Sequence, residues 1–213
     1  MKAIIFDFDG TLANTLPICF YAFQSVFKQF DDKDLTAEDI VKMFGPSETG
    51  IIRENLQNPN KEAAIALYYE KYAESHTQFV KPNDEITELL HDLKDSGMKL
   101  AIFTGKARKS LDISLQALQM DDLFDVIITG DDVVEPKPAP EGLFKALALL
   151  EVDYTEAIFV GDSEADIVAG LQANVQTVGV HWLPDYQTAA FMQAPHHIVE
   201  HVAQFKDLIG GMK

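Results

Sequence analysis

The chain has 213 residues, 47% of them hydrophobic and 24% charged, which suits one large globular domain or a domain carrying a small insert. Its formal charge is −17, and so acidic a surface excludes nucleic acid and anionic membranes as expected partners. Small phosphate ligands stay open, because a bound metal ion reverses the field locally. No apolar run approaches the roughly 18 uninterrupted residues of a membrane span.

In chain order, the first apolar run is Ala3–Phe6, which stops at Asp7 and so does not read as a secretory leader. Cys19 is the single cysteine, which excludes an internal disulfide and points to a reducing cytoplasm. From Asn14 to Pro82 no strand is expected, and apolar residues recur at helical spacing, as in Ile18, Tyr21, Ala22, Ser25 and Val26. Phe20, Phe23, Phe27 and Phe30 form a core stripe within this stretch. We read residues 14–82 as a helical domain inserted after the first strand, with residues 1–13 and 83–213 forming the core. The insert holds ten acidic and seven basic residues, so most of the negative excess belongs to the core.

Beyond the insert, short β-branched runs alternate with helical patterns. The expected strands are Leu100–Phe103, Val126–Ile128, Ala157–Val160 and Thr177–Val180, with His197–Val199 as a short edge strand. The expected helices are Glu85–Ser96, Arg108–Leu118, Pro140–Leu150, Glu164–Ala173 and Ala203–Ile209, with Gly97 and Asn174 at left-handed helix ends. Strand alternating with helix predicts an α/β fold, a doubly wound, Rossmann-like parallel sheet.

Ligands of such sheets bind beyond the carboxyl ends of the strands, and there the polar residues collect. Strand one runs into Asp7-Phe8-Asp9-Gly10-Thr11, and strand two ends at Thr104-Gly105-Lys106. Strand three ends near Gly130-Asp131-Asp132 with Lys137 a few residues on, and strand four ends at Gly161-Asp162-Ser163-Glu164-Ala165-Asp166. A carboxylate directly after a fully apolar strand, as at Asp7, needs a partner or an ion. No His/Cys set has zinc spacing, and the hard oxygens suit Mg²⁺.

This ordered set resembles the four motifs of the haloacid dehalogenase superfamily, on its phosphatase branch with a helical cap after the first strand. Asp7-Phe8-Asp9-Gly10-Thr11-Leu12 corresponds to the first motif, Thr104 to the second, Lys137 within Glu135-Pro136-Lys137-Pro138 to the third, and Gly161–Asp166 to the fourth. The resemblance implies a cytoplasmic Mg²⁺-dependent phosphatase acting on a small phosphorylated metabolite through an aspartyl-phosphate. Asp7 is then the nucleophile. Asp9 is the general acid and base, a residue that dehalogenases proper lack because a halide leaves without a proton. The metal ligands it implies are Asp7, the Asp9 carbonyl and Asp162, with Asp166 orienting metal-bound water or ligating weakly. Thr104 and the Gly105 amide would bind phosphoryl oxygens, and Lys137 would balance the carboxylates and contact the phosphate. Phosphoglycolate is the substrate the resemblance first suggests, with a phosphomutase of the β-phosphoglucomutase kind, a pyrophosphatase or a nucleotide phosphatase as alternatives.

Other positions leave two readings open. Lys106 either meets substrate or solvates the start of the next helix. The turn Gly45–Gly50 and Arg53 either close over the substrate's far end or form a solvated loop with a surface arginine. Asn14 stands where many relatives of this branch carry an acid, and altered hinge contacts rather than lost catalysis are expected from it. Trp182 is a candidate for the pocket rim, His76 and Cys19 read as structural, and monomer and homodimer are both compatible with the sequence.

Overall fold

The computed structural model describes residues 1–211. Strands Ala3–Phe6 (β1), Lys99–Phe103 (β2), Val126–Ile128 (β3), Ala157–Gly161 (β4), Gln176–Val180 (β5) and His197–Val199 (β6) pair in parallel in the order β3-β2-β1-β4-β5-β6. Every residue of β1 is apolar and buried, as the middle of such a sheet requires. Phe6 aligns with Ile102 on one side and Val160 on the other, so the chain leaves these three strands at the same height. The strand order reverses beside β1, which opens a crevice at that rim.

Side chains alternate between the sheet's two faces. Ile4, Phe6, Leu100, Ile102 and Val160 belong to one apolar cluster, to which Asp84–Asp95 (α5) and Arg108–Leu118 (α6) contribute their buried leucines and Val202–Gly210 (α9) adds Phe205. Ala3, Ile5, Phe103 and Phe159 face the other way, against Glu141–Leu150 (α7) and Glu164–Gln172 (α8). The expected α/β doubly wound sheet is therefore present, and each expected element lies within one residue of its observed bounds. Gly97 and Asn174 adopt the left-handed conformation at φ 81° and 57°. Asp32, Gln119 and Glu151 end helices in the same way without being glycines.

Between β1 and α5 lie Leu16–Asp31 (α1), Ala37–Val41 (α2), Glu48–Asn55 (α3) and Lys61–Phe79 (α4), which we call the cap. Phe23 and Phe27 of the aromatic stripe are buried and Phe20 and Phe30 half-buried, with the Phe23 ring centred 4.6 Å from the Tyr68 ring of α4 and tilted 48° to it. The cap rests on core helix α6 through a polar seam. Tyr72 Oη lies 2.7 Å from Ser114 Oγ, and His76 Nε2 lies 2.9 Å from the same oxygen. Among the described residues no helix is long and apolar enough to cross a membrane.

Candidate active site

Strand β1 delivers Asp7 to the rim and the chain then turns back on itself. Leu12 and Ala13 both donate to the Phe8 carbonyl, and Gly10 takes φ 82°, a conformation that costs an ordinary residue about 1–2 kcal/mol. Gly10 is required for space as well, since a Cβ there would lie 2.3 Å from Asp162 Oδ2. At the end of β4 the Ser163 hydroxyl accepts from the Asp166 amide while the Asp166 carboxylate accepts from the Ser163 amide, a reciprocal cap that starts α8. Capping thus aims Asp166 back toward the sheet.

Asp7, Asp162 and Asp166 meet there. One oxygen from each lies within 4.8 Å of the others, and all three side chains are buried. Lys137 Nζ donates to Asp7 Oδ1 at 2.8 Å and to Asp166 Oδ1 at 2.6 Å. Asp162 accepts from Thr11 Oγ1 at 3.2 Å and from the Gln187 amide at 2.6 Å. One cation faces three carboxylates, so the cluster is short of positive charge. Burial pushes the Asp7 carboxyl up to about 7, Lys137 opposing and Asp166 adding to the rise. Burial, then Asp7 and Asp166, hold Asp162 far above the carboxylate range. Lys137 stays charged, because Asp166 and Asp7 outweigh the burial that would lower it. A compact set of hard oxygens with unmatched negative charge fits a divalent cation such as Mg²⁺.

Asp9 lies apart from this trio. Its carboxylate accepts from Lys106 Nζ at 3.1 and 3.3 Å and from the Thr15 hydroxyl. Lys106 is fully enclosed, 3.3 Å from Glu48 Oε1 of the cap and 4.5 Å above the Tyr72 ring. Burial alone would discharge it, but Asp9 and other neighbours reverse that and hold its pKa well above the usual range. Glu48 is buried too, and accepts from the Ala107 amide and the Ser110 hydroxyl at the start of α6. The cap is therefore joined to the core through a carboxylate seated on a core helix N-terminus.

Between these groups lies a cavity of about 240 Å³. Asp7, Asp9, Thr104, Gly105, Lys106 and Lys137 line its floor. The side facing the cap is formed by α1 and by the segment from Phe44 to Ile51.

Most residues singled out from the sequence converge here, and three positions do not. Arg53 is half-exposed and bonded to Glu62 at 3.0 Å, off the cavity lining, because α3 turns that face to solvent. Trp182 stays behind the wall: its Nε1 donates to the Thr11 carbonyl at 2.7 Å and its ring packs on Phe205. Asn14 reaches away from the cavity to Asp185, 3.0 Å from its amide nitrogen. Of the two readings of Lys106, solvation of the helix start does not hold, since the side chain is enclosed; it lines the cavity, paired with Asp9 and Glu48. Asp166 packs as closely into the acidic cluster as Asp7 and Asp162 do.

Sequence reasoning missed Thr15 and Gln187, and it took Glu48 only as part of the Gly45–Gly50 turn, whose Gly45, Pro46 and Glu48 line the cavity. Glu48 follows Pro46-Ser47 at the head of a helix, where an acid is ordinary, and only its burial distinguishes it. Thr15 and Gln187 act through a hydroxyl and a backbone amide that no motif marks.

An α/β sheet with a buried carboxylate cluster at its switch point and a helical roof defines a class of hydrolase-type sites. Residues 4–180 match the haloacid dehalogenase-like hydrolase family, and the chain belongs to it. Pyrophosphatase PpaX of Bacillus cereus is 35% identical over 182 residues, 85% of this chain and 84% of that protein. The fold is shared with a predicted phosphoglycolate phosphatase from Haemophilus somnus (TM-score 0.85, 23% identity, 98% of both chains). It is shared equally with CbbY from Rhodobacter sphaeroides in complex with phosphate (TM-score 0.84, 22% identity, 96% of both chains).

Proposed function

We propose that the chain is a Mg²⁺-dependent phosphatase that hydrolyses a small phosphate monoester through an aspartyl-phosphate on Asp7. The observation that carries this reading is the convergence of Asp7, Asp162 and Asp166 on one point beneath a roofed cavity, with Lys137 their single cation. Residues 14–82 act as the cap and residues 1–13 and 83–213 as the catalytic core.

The Asp7 and Asp162 carboxylates and the Asp9 carbonyl would hold the metal, with Asp166 beside them. When bound, Mg²⁺ offsets the repulsion between the Asp7 carboxylate and an anionic phosphate. Asp7 attacks phosphorus, the bond from phosphorus to the alcohol oxygen breaks, and Asp9, which must enter this step as the protonated acid, gives its proton to that oxygen. Asp9 then takes a proton from the water that attacks the aspartyl-phosphate, which frees inorganic phosphate and restores the Asp7 carboxylate. The Thr104 hydroxyl and the Gly105 amide, both on the cavity floor, donate to phosphoryl oxygens whose charge grows in the transition state. Lys137 holds the phosphate against the carboxylates. Thr15 and Lys106 orient Asp9.

The test is release of inorganic phosphate from an aryl phosphate with Mg²⁺. Wild type should release it and Asp7→Asn should not; an Asp7→Asn enzyme with undiminished turnover would refute the reading. Pyrophosphate is the second substrate to include, because the PpaX relatives bear that name at 35% identity.

A further inference from the structure

The phosphatase reading leaves the alcohol part of the ester unnamed, and the cavity wall speaks to it. Resting on that reading, we infer that the group attached to the phosphate is small, uncharged and apolar, so that pyrophosphate and carboxylate-tailed esters such as phosphoglycolate are poor substrates.

The cap's share of the cavity lining is mostly apolar. Leu16, Cys19 and Phe23 from α1 and Phe44 and Ile51 from the segment around α3 form most of it. Cys19 presents a neutral thiol, its pKa pushed up to about 12 by burial. A second phosphate or a carboxylate placed there would lose its hydration and needs a cation in exchange.

None is free. Seven lysines and arginines lie in residues 14–82, and none of them lines the cavity. They end on groups elsewhere: Arg53 on Glu62, Lys33 on Asp31, Lys42 on Asp39, and Lys71 on Glu70 and Glu74. The lining contains two cations, Lys106 and Lys137. Lys137 belongs to the phosphoryl end beside Asp7. Lys106 is already shared between Asp9 and Glu48.

Glu48 makes the exclusion active. It is the one acidic residue that the cap contributes to the lining, and it is buried. By holding Lys106 in an ion pair it keeps that cation from an anionic tail, which would need it, whereas an uncharged tail would not. Size sets a further bound. The cavity offers about 240 Å³, and the phosphate takes part of it.

Binding of non-hydrolysable phosphonates, measured by titration calorimetry at fixed free Mg²⁺, separates this inference from the phosphatase reading. Phenylphosphonate should bind at least about ten-fold more tightly than phosphonoacetate or methylenediphosphonate, about 1.4 kcal/mol. Glu48→Gln should narrow that ratio, and Phe44→Lys, which leaves the Glu48 contacts in place, should narrow or invert it. Equal or tighter binding of either anion-tailed phosphonate by wild type, or no binding of phenylphosphonate, overturns the inference. Phosphate release from phenyl phosphate is followed in parallel: binding in the expected order without release supports the pocket's preference and sinks the phosphatase reading alone.

Discussion

Gly10 and Asp162, 152 positions apart in the chain, are packed so closely that a methyl group on Gly10 would lie 2.3 Å from Asp162 Oδ2. Gly10 also takes φ 82°, so Gly10→Ala meets a backbone strain and a steric one together. The strain costs about 1–2 kcal/mol. The contact costs function, because the carboxylate that must move belongs to the acidic cluster. Gly10→Ala should lose stability of that order in urea titrations and lose phosphatase turnover more than ten-fold at saturating Mg²⁺. Full turnover in a destabilised Gly10→Ala protein would mean that Asp162 has no part in the reaction.

The carboxylate cluster also makes the metal-free protein less stable than it could be. Three buried acids share one lysine, so removing a charge without changing shape should relieve repulsion. Asp7→Asn should raise the Tm in EDTA relative to wild type. It should also shrink the stabilisation that Mg²⁺ gives to wild type, since ligand binding to the folded state alone is what raises Tm. An Asp7→Asn protein that melts lower in EDTA and keeps the wild-type Mg²⁺ shift would show that Asp7 is held by Lys137 and not by an ion.

What could be read from the sequence divides along a physical line. Ala3–Phe6 and Ala157–Val160 announce themselves because a strand buried on both faces must be apolar throughout, and Asp7 and Asp162 follow such runs directly. Helix starts were legible from apolar spacing, as at Arg108 and Glu164. The pairing of Glu48 with Lys106 was not. Each is a charged residue in an ordinary helix-start context, and pairing through the fold, not local spacing, makes both burials tolerable. Arg53 misled for the converse reason. It follows a polar turn that approaches the cavity, but at its own position the helix faces water. The loop after β5, which supplies the Gln187 amide to Asp162, acts through its backbone and so carries no residue signature.

Glu141 extends the machinery to a residue outside the cavity. Its carboxylate accepts from the Val134 amide at 3.0 Å and the Glu135 amide at 2.8 Å, and Lys145 pairs with it at 2.6 Å. These bonds tie down both ends of the short loop that presents Lys137. The Lys145 bond first, then the Glu135 and Val134 amides, hold the Glu141 carboxyl down to about 2, so the tie persists at every practical pH. Glu141→Ala should lower kcat several-fold, up to the order of 100-fold if Lys137 shifts by about 1 Å. Circular dichroism should be unchanged, and the rate should stay low at every pH assayed. A Glu141→Ala enzyme at wild-type kcat would show that Lys137 is positioned by Asp7 and Asp166 alone.

His76 predicts the acid limb of stability. It is buried at the cap–core seam, with Nε2 on Ser114 and Nδ1 without a partner among the described residues. The charged groups that face it are Lys106 and, at lesser weight, Asp9; burial first and then Lys106 press its pKa from 6.5 to about 4. The unfolded chain therefore takes up the proton before the folded one does. His76 contributes stability in full above pH 6.5, and that contribution is lost as pH falls from 6.5 to about 4. One such group adds at most about 1.4 kcal/mol per pH unit to the slope of unfolding free energy. Urea titrations of wild type and His76→Gln across this window should differ in slope by up to one proton, with wild type the steeper. The other carboxylates titrate in both proteins and cancel in the difference. Identical slopes would mean that His76 is protonated in the folded protein, and that the seam between α4 and α6 admits the charge.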